Sequence, residues 1–401
     1  MKTIKIGIMG CTVENPNMGC MALTYSLVKK IQQISERRKV NVQYVFFDYS
    51  ATSSALKKLS NNLNIDPLSF EGCQYIFFDF HDWQSSIKSM KKIVRNIKAA
   101  RKIRECAFII DMTQGDSFSD IYGKKRFYDW TGIKRFVELC KVSLILGPQT
   151  YGPFEDEKVK KYAQTVIEKA ELIISRDEES KKYLENFCEK DILVATDLAF
   201  ELPYKNQKNN DNTKIKIGIN PSGLLCNKKN DRSAFDTKLT VDYETYLHQL
   251  VEFLKKDGKY EIYMIPHVGN EAIECFGNLK DVAYHDAFSS PIEAKSFISG
   301  MDIFIGARMH ATIGAFSSGV ATIPVAYSRK FRGLFKGIGY DYLIDLCSMS
   351  TDEALNMTIK YVQNYKELKY NAVESMELIE QKCRVTEEAL EKKIMKLFKE
   401  C

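Results

Sequence analysis

The chain has no CxxC pair, no Gly-x-Gly-x-x-Gly turn and no apolar run long enough to cross a membrane, and only nine prolines in 401 residues. Each absence excludes something. Eleven cysteines, an odd number, stand singly (Cys11, Cys20, Cys73, Cys106, Cys140, Cys188 and others), mostly within apolar runs. That distribution suits buried thiols in a reducing cytoplasm better than a disulfide framework or a zinc site, so neither metal nor other cofactor is expected. Without the glycine turn there is no dinucleotide signature. With 45% apolar and 27% charged residues, few prolines also exclude wholesale disorder. The longest uncharged window, Met309 to Ser328, holds a histidine, five Ser or Thr and three Gly or Pro breaks. It reads as a core helix, turn and strand and not as a membrane span. Lys2 and Lys5 precede a short apolar run that the polar Glu14-Asn15-Pro16-Asn17 ends at once, so no secretion signal is read there and a cytoplasmic location is expected.

Net charge is modest at +6, but eight Lys or Arg and no acid lie between Lys88 and Arg104, so the rest of the chain sums to about −2. A global nucleic-acid binder is therefore not expected, whereas a local anionic surface is a suitable partner for residues 88–104. In that helix Ile87, Met90, Ile93 or Val94, Ile97 and Ile103 are expected to face the core, with the basic residues covering the rest.

Length alone implies two domains of about 150–200 residues each. Short apolar runs alternate with amphipathic segments, the pattern of a parallel α/β sheet. Strands are expected at Ile4–Met9, Val42–Phe47, Tyr75–Phe80, Ala107–Asp111, Ser143–Leu146, Leu172–Ser175 and Ile192–Val194. After a polar linker, Tyr204 to Lys214, the chain restarts: Thr3-Ile4-Lys5-Ile6-Gly7-Ile8 is nearly repeated as Lys214-Ile215-Lys216-Ile217-Gly218-Ile219. Further strands follow at Ile262–Ile265, Val282–Tyr284, Ile303–Gly306 and Ile323–Tyr327, and the tail from Asp352 is helical. The expected architecture is α/β: two Rossmann-like, doubly wound domains facing a cleft, with C-terminal helices. The boundaries are 1–203, 214–350 and a tail at 351–401 that can pack back across the cleft.

Ligands of such sheets bind at the carboxyl ends of strands, near helix N-termini. After the first strand comes a Gly/Asn-rich turn with Asn17 and Gly19. After Ala107–Asp111 comes Thr113-Gln114-Gly115-Asp116-Ser117-Phe118-Ser119-Asp120-Ile121-Tyr122-Gly123, where Asp116 can act as a general base on a sugar hydroxyl and helix capping is the bland alternative. After Ser143–Leu146 two Gly-Pro pairs flank Gln149, which is expected to face the cleft. Arg176 ends another strand and suits a phosphate or carboxylate, or else an ion pair with Asp177 or Glu178. The sharpest segment is Gly306-Ala307-Arg308-Met309-His310-Ala311, an anion clamp beside a group that titrates near neutrality. Ser328-Arg329-Lys330 follow the next strand at the same sheet end, and His267 follows Ile262–Ile265.

Taken in order, Gly-Asp-Ser-Phe-Ser-Asp-Ile-Tyr-Gly (115–123), Gly-Pro-Gln-Thr-Tyr-Gly-Pro-Phe (147–154), Ser-Arg-Asp-Glu-Glu-Ser (175–180), Thr-Asp-Leu-Ala-Phe (196–200), Gly-Ala-Arg-Met-His-Ala (306–311) and Tyr-Ser-Arg-Lys-Phe (327–331) resemble the polysaccharide pyruvyl transferases. The resemblance implies a GT-B-like fold and phosphoenolpyruvate as donor of a cyclic pyruvate ketal, built on two hydroxyls of a lipid-linked sugar acceptor in exopolysaccharide or capsule synthesis. Carried over to this sequence, Arg308, His310 and Arg176 would hold the donor or act on it; ketal chemistry itself needs an acid and a base, and His310 as proton donor and Asp116 as base are expected to supply them. Arg308, Arg176, Lys330, Arg329 and Ser328 would then hold phosphoenolpyruvate, and Asn17, Gly19, Ser117, Asp120, Tyr122, Gln149 and His267 the acceptor. The family's first loop reads Asn-x-Gly-Asp; here Asn17-Met18-Gly19 is followed by Cys20, so no acid stands there. Lipid-linked acceptors also suit a peripheral position on the inner face of the cytoplasmic membrane. The rival readings are a nucleotide-sugar glycosyltransferase of the same build, for which only Asp341 and Asp345 could serve as the ribose acid, and a non-catalytic sugar-binding homologue.

Overall fold

The computed structural model describes residues 3–73, 83–95, 97–209, 213–226, 239–277 and 279–399. The expected strand Tyr75–Phe80 lies outside them. Two compact units divide the chain: Met1–Asn15, Leu23–Leu198 and Gln381–Cys401 form the first, and Pro16–Ala22 and Ala199–Glu380 the second.

Strands of the first unit are β1 (Thr3–Met9), β2 (Asn41–Phe46), β3 (Phe70–Gly72), β4 (Phe108–Asp111), β5 (Leu144–Gln149), β6 (Leu172–Ser175) and β7 (Ile192–Val194). Its helices are α1 (Met18–Arg38), whose first residues belong to the second unit, α2 (Ser53–Leu63), α3 (Trp83–Arg95), α4 (Ile97–Glu105), α5 (Lys124–Leu139), α6 (Glu157–Lys169) and α7 (Glu178–Glu185). The sheet is parallel in the order β3-β2-β1-β4-β5-β6-β7.

The second unit contains β8 (Ile215–Asn220), α8 (Gly223–Cys226), α9 (Tyr243–Asp257), β9 (Tyr260–Met264), α10 (Glu271–Phe276), β10 (Ala283–Tyr284) and α11 (Pro291–Ile298). It continues with β11 (Ile303–Gly306), α12 (Met309–Ser317), β12 (Ala321–Ala326), α13 (Arg329–Lys336), β13 (Ile344–Asp345) and α14 (Thr351–Gln363), and ends in the first part of α15 (Tyr365–Lys399). Its parallel sheet runs β10-β9-β8-β11-β12-β13. Counted from its own first strand, each sheet begins in the Rossmann order 3-2-1-4-5-6. The switch points, where open α/β sheets bind ligands, lie between β1 and β4 and between β8 and β11. Inner strands such as Phe108–Asp111 and Ile303–Gly306 are buried at every residue, which is why they read as unbroken apolar runs.

Three expectations can be compared with the structure. The stretch expected as a linker is tied at its start to the α11 region, where the N–H groups of Lys205 and Gln207 donate to Ser296 and Ser299 Oγ; just before it, Lys295 Nζ donates to the carbonyls of Phe200 and Leu202. The first unit's middle segment ends at Leu198 and the second unit resumes at Ala199. The helical tail is shared between the units, and its end joins the first. There Cys383, Leu390 and Ile394 are buried, Arg37 pairs with Glu387 (2.6 Å) and Glu391 (2.9 Å), and Lys393 pairs with Glu171 (2.6 Å). Finally, Ile103 is buried as expected, but Ile87, Met90 and Ile97 are 38%, 63% and 51% exposed, on the same helices as the exposed Lys88, Lys91, Lys98 and Arg101. Helical spacing identifies an apolar stripe but not what covers it.

Beneath the switch point of the first sheet lies a wholly buried ion pair. Lys134 Nζ is 3.1 Å from Asp111 Oδ1, donates to the Trp130 carbonyl at 2.9 Å and sits 5.1 Å from the centre of the Phe118 ring. Burial lowers the Lys134 pKa, opposed by the Asp111 charge. Lys134→Met is expected to destabilise the protein by about 3–5 kcal/mol, because it strands a buried carboxylate. Adding Asp111→Asn should recover part of that loss. Chemical denaturation of the single and double variants measures both, and a near-neutral Lys134→Met would contradict the pairing.

Candidate active site

In the first unit the turn after β4 is wound backwards. Thr113, Gln114 and Gly115 have φ of 37°, 52° and 86°. For a β-branched residue such as threonine this region is an outlier, costing about 1–3 kcal/mol, and it persists only where neighbours fix it. They do. The Gln114 N–H donates to the Gly10 carbonyl (2.6 Å), the Thr150 N–H to the Gly115 carbonyl (2.8 Å), and the Thr113 hydroxyl to Asp111. Phe118 then plugs into an aromatic cluster with Phe127, Tyr151 and Phe154.

This packing decides which predicted residues can meet a ligand. Gln149 does not face outward: it is fully buried, and its amide donates to the Asp111 carbonyl at 3.1 Å. Asp120 accepts the N–H groups of Glu155 and Asp156 and so fixes the following turn. Ser117 is 2% exposed and accepts from Arg126. Asp116 and Tyr122 remain part-exposed and joined, the phenol donating to Asp116 Oδ2 at 3.0 Å.

Arg176, at the end of β6, is 4% exposed. Its ion-pair partner is Asp197 (2.7 Å), not the adjacent Asp177 or Glu178, and its Nε donates to Thr150 Oγ1 at 2.8 Å. Asp177 is occupied as the N-cap of α7. Arg176 Nη2 has no protein partner among the described residues. Gly115 lies against the same guanidinium: a Cβ there would sit 3.0 Å from Nη1.

In the second unit Arg308 and His310 lie where β11 turns into α12, beside the switch point. Asn220, ending β8, accepts the Arg308 N–H (3.0 Å) and donates to the Ile265 carbonyl (2.8 Å). The guanidinium binds Glu271, with Nε 3.0 Å from Oε2. Glu271 is 4% exposed and also accepts the N–H groups of Gly223, His267 and Val268. Residues 16–19 are strapped to the same loop: the Met18 N–H donates to the His267 carbonyl (3.0 Å), the Gly269 N–H to that of Pro16 (3.0 Å), and Asn17 Oδ1 accepts the Gly19 N–H (2.9 Å). Gly19 must be glycine, because a Cβ would lie 2.4 Å from His310 Nδ1. Ser328 caps α13 without a side-chain bond, and its Oγ has no partner among the described residues. Lys330 is half-buried at the same sheet end, while the Arg329 side chain lies outside the described residues.

The second unit therefore gathers Arg308, His310, His267, Asn17 and Gly19, whereas Arg176, Asp116 and Tyr122 belong to the first. Among the described residues no group of three or more His, Cys, Asp or Glu side chains is arranged to hold a metal ion. Glu271, Asn220, Arg126 and Lys134 escaped the sequence reading, and Asp197 entered it only as part of the motif at 196–200. Only Lys134 carried a usable signal, a cation on the buried stripe of α5 that holds Phe127, Thr131 and Val137.

His267 is 6% exposed, and neither ring nitrogen has a protein partner among the described residues. Burial, with the nearby charges of His310 and Arg308, pushes its pKa down to about 3. The unfolded chain takes up this proton near the ordinary histidine pKa of about 6.5 and the folded one only near 3. Its contribution to stability is thus full above pH 6.5 and lost progressively as pH falls toward 3. His267→Gln should flatten the fall in melting temperature over that window; identical slopes in both proteins would show that His267 does not titrate this way.

A family profile described as polysaccharide pyruvyl transferase matches residues 17–329. No curated protein matches the chain. Among solved structures it is similar to the UDP-GlcNAc 2-epimerase from Neisseria meningitidis bound to UDP-GlcNAc (TM-score 0.57, 10% identity, 99% of this chain and 100% of that one). It is also similar to the UDP-GlcNAc 2-epimerase from Methanocaldococcus jannaschii in complex with UDP-GlcNAc and UDP (0.53, 10%, 90% and 92%) and to the spinosyn rhamnosyltransferase SpnG complexed with thymidine diphosphate (0.52, 11%, 95% and 96%). At such identities the likeness is one of fold, shared with GT-B glycosyltransferases and epimerases. The profile spans most of the chain and includes the turn at Asn17, the buried Arg176 and the Arg308–His310 pair, and on that ground the chain belongs to the polysaccharide pyruvyl transferase family.

Proposed function

We propose that this chain transfers the enolpyruvyl unit of phosphoenolpyruvate onto two hydroxyls of a sugar, releasing phosphate and leaving a cyclic ketal. The observation that carries the reading is the placement of Arg308 and His310 together at the carboxyl end of β11. There Glu271 and Asn220 fix the arginine, and the bare backbone of Gly19 makes room for the imidazole.

The donor carries up to three negative charges, which call for cationic side chains. Arg308 uses Nε and Nη2 on Glu271, so its remaining N–H groups are those offered to the donor. Lys330, Arg329 and Ser328 belong to the next strand end, and Arg176 supplies a further N–H through Nη2. His310 gives a proton to the donor's methylene carbon, so that positive charge develops at C2. One sugar hydroxyl attacks C2 as Asp116 takes its proton. Phosphate then departs, and the second hydroxyl closes the ketal, its proton leaving with the phosphate. No nucleotide is required. His310 and Asp116 act here as general acid and base.

A lipid-linked acceptor fits the exposed basic and apolar residues of α3 and α4. Resting on anionic headgroups, each basic residue contributes about 1 kcal/mol. Vesicles of anionic lipid should sediment the wild type at low salt but not a variant with Lys88, Lys91, Lys98 and Arg101 replaced by glutamine. Equal sedimentation would remove the membrane contact.

Phosphoenolpyruvate at about a hundred times its dissociation constant should stabilise the fold by about 2.7 kcal/mol, readable as a rise in melting temperature. Arg308→Gln, which keeps a hydrogen bond for the buried Glu271, should abolish that rise. His310→Ala should keep the fold and the rise yet lose about 10²–10⁴ in turnover. Stabilisation by UDP and not by phosphoenolpyruvate would instead support a nucleotide-sugar glycosyltransferase.

A further inference from the structure

The first turn of α5 reads Lys124-Lys125-Arg126 and contains no acid. Aligned peptide dipoles make that end of a helix positive and oppose cations there. Lys124 is balanced by Asp156 at 2.6 Å. Arg126 is not balanced. Its Nη2 donates to Gln114 Oε1 (3.2 Å) and Ser117 Oγ (3.1 Å), two neutral acceptors, and its guanidinium carbon lies 5.0 Å from the centre of the Tyr122 ring. Among the described residues no carboxylate lies within ion-pair distance of it.

Its neighbours are themselves fixed. Gln114 belongs to the left-handed turn (φ 52°), Ser117 is buried, and Tyr122 is held by its bond to Asp116. Arg126 is nevertheless exposed. A solvated arginine with no task has no need of an aromatic platform and two acceptors, and one that serves folding is ordinarily paired with an acid. Here the fork is pre-oriented and its charge is left for something outside the chain.

We propose that Arg126 selects an acceptor sugar bearing a carboxylate or phosphate group, binding that group while Asp116 faces the hydroxyls. The inference rests on the sugar-acceptor role of Asp116 under the proposed function. The carboxylate of a uronic acid and the phosphate of a sugar phosphate present the same chemistry to a guanidinium, and the test separates them.

Titration calorimetry on the full chain with glucuronate, glucose 1-phosphate, glucose and inorganic phosphate provides that test. The wild type should bind glucuronate, glucose 1-phosphate or both at least about tenfold tighter than glucose. Arg126→Gln should weaken the anionic sugars by about 10- to 100-fold, to the level of glucose, without changing the melting temperature. Arg126→Lys, which keeps the charge but not the fork, should fall between. Preference for glucuronate alone assigns a carboxylate, and for glucose 1-phosphate alone a phosphate. The proposal is overturned by equal affinity for all three sugars, by no saturable binding of the anionic ones, by inorganic phosphate binding as tightly as they do and being weakened equally by Arg126→Gln, or by Arg126→Gln keeping the preference. Phosphoenolpyruvate stabilisation, read on the same samples, is independent. Its absence with the sugar preference intact rejects the donor assignment and leaves Arg126 standing; the reverse result rejects Arg126 alone.

Discussion

Glu271 carries a charge into the interior of the second unit, and much of that unit's chemistry is arranged around the consequence. A buried carboxylate is tolerated only when its lone pairs are met. Three backbone N–H groups, from Gly223, His267 and Val268, meet some of them, and the Arg308 guanidinium meets the rest. The loop carrying His267, the turn after β8 and the arginine after β11 are thereby held to one carboxylate. The arginine in turn keeps one side of its fork uncommitted.

The first unit reaches a comparable rigidity differently. Asp111 meets Lys134 below and Thr113 above, and the arginine at its sheet end, Arg176, is matched by Asp197. In both units a cation at a strand end is oriented by an acid remote in sequence. The difference is one of access. Arg176 is almost sealed, with Nη2 unpartnered among the described residues, whereas Arg126, on the outer side of the same turn, has no acid within ion-pair distance among them.

Much of this was legible in the sequence. Leu172–Ser175 and Ile303–Gly306 coincide with the expected strands because strands covered on both faces need uninterrupted apolar residues. The polar residue ending each run marks the sheet edge where chemistry collects, which located Arg176, Arg308 and His310. The edge strands Phe70–Gly72 and Ile344–Asp345 have no such run and left no trace, whereas the edge strand Ile192–Val194, apolar throughout, was legible. The partners were hidden for another reason: Asp197 and Glu271 lie 21 and 37 residues from the arginines they hold, and local spacing carries no information at that range. The same limit explains Gln149, whose place in a Gly-Pro motif after an expected strand does not reveal that its side chain is buried against the Asp111 carbonyl.

The division of the chain has a consequence for its biosynthesis. The first unit is not complete at Leu198, because the last turns of α15, from Gln381, pack on it and supply partners for Arg37 and Glu171. The whole of Ala199–Glu380 is made in the interval. At about 5–20 residues per second, a ribosome takes about 10–40 s to cross it. Throughout that time the surface that will receive Cys383, Leu390 and Ile394 is open to water or to a chaperone. The first domain to emerge is therefore the last to be finished.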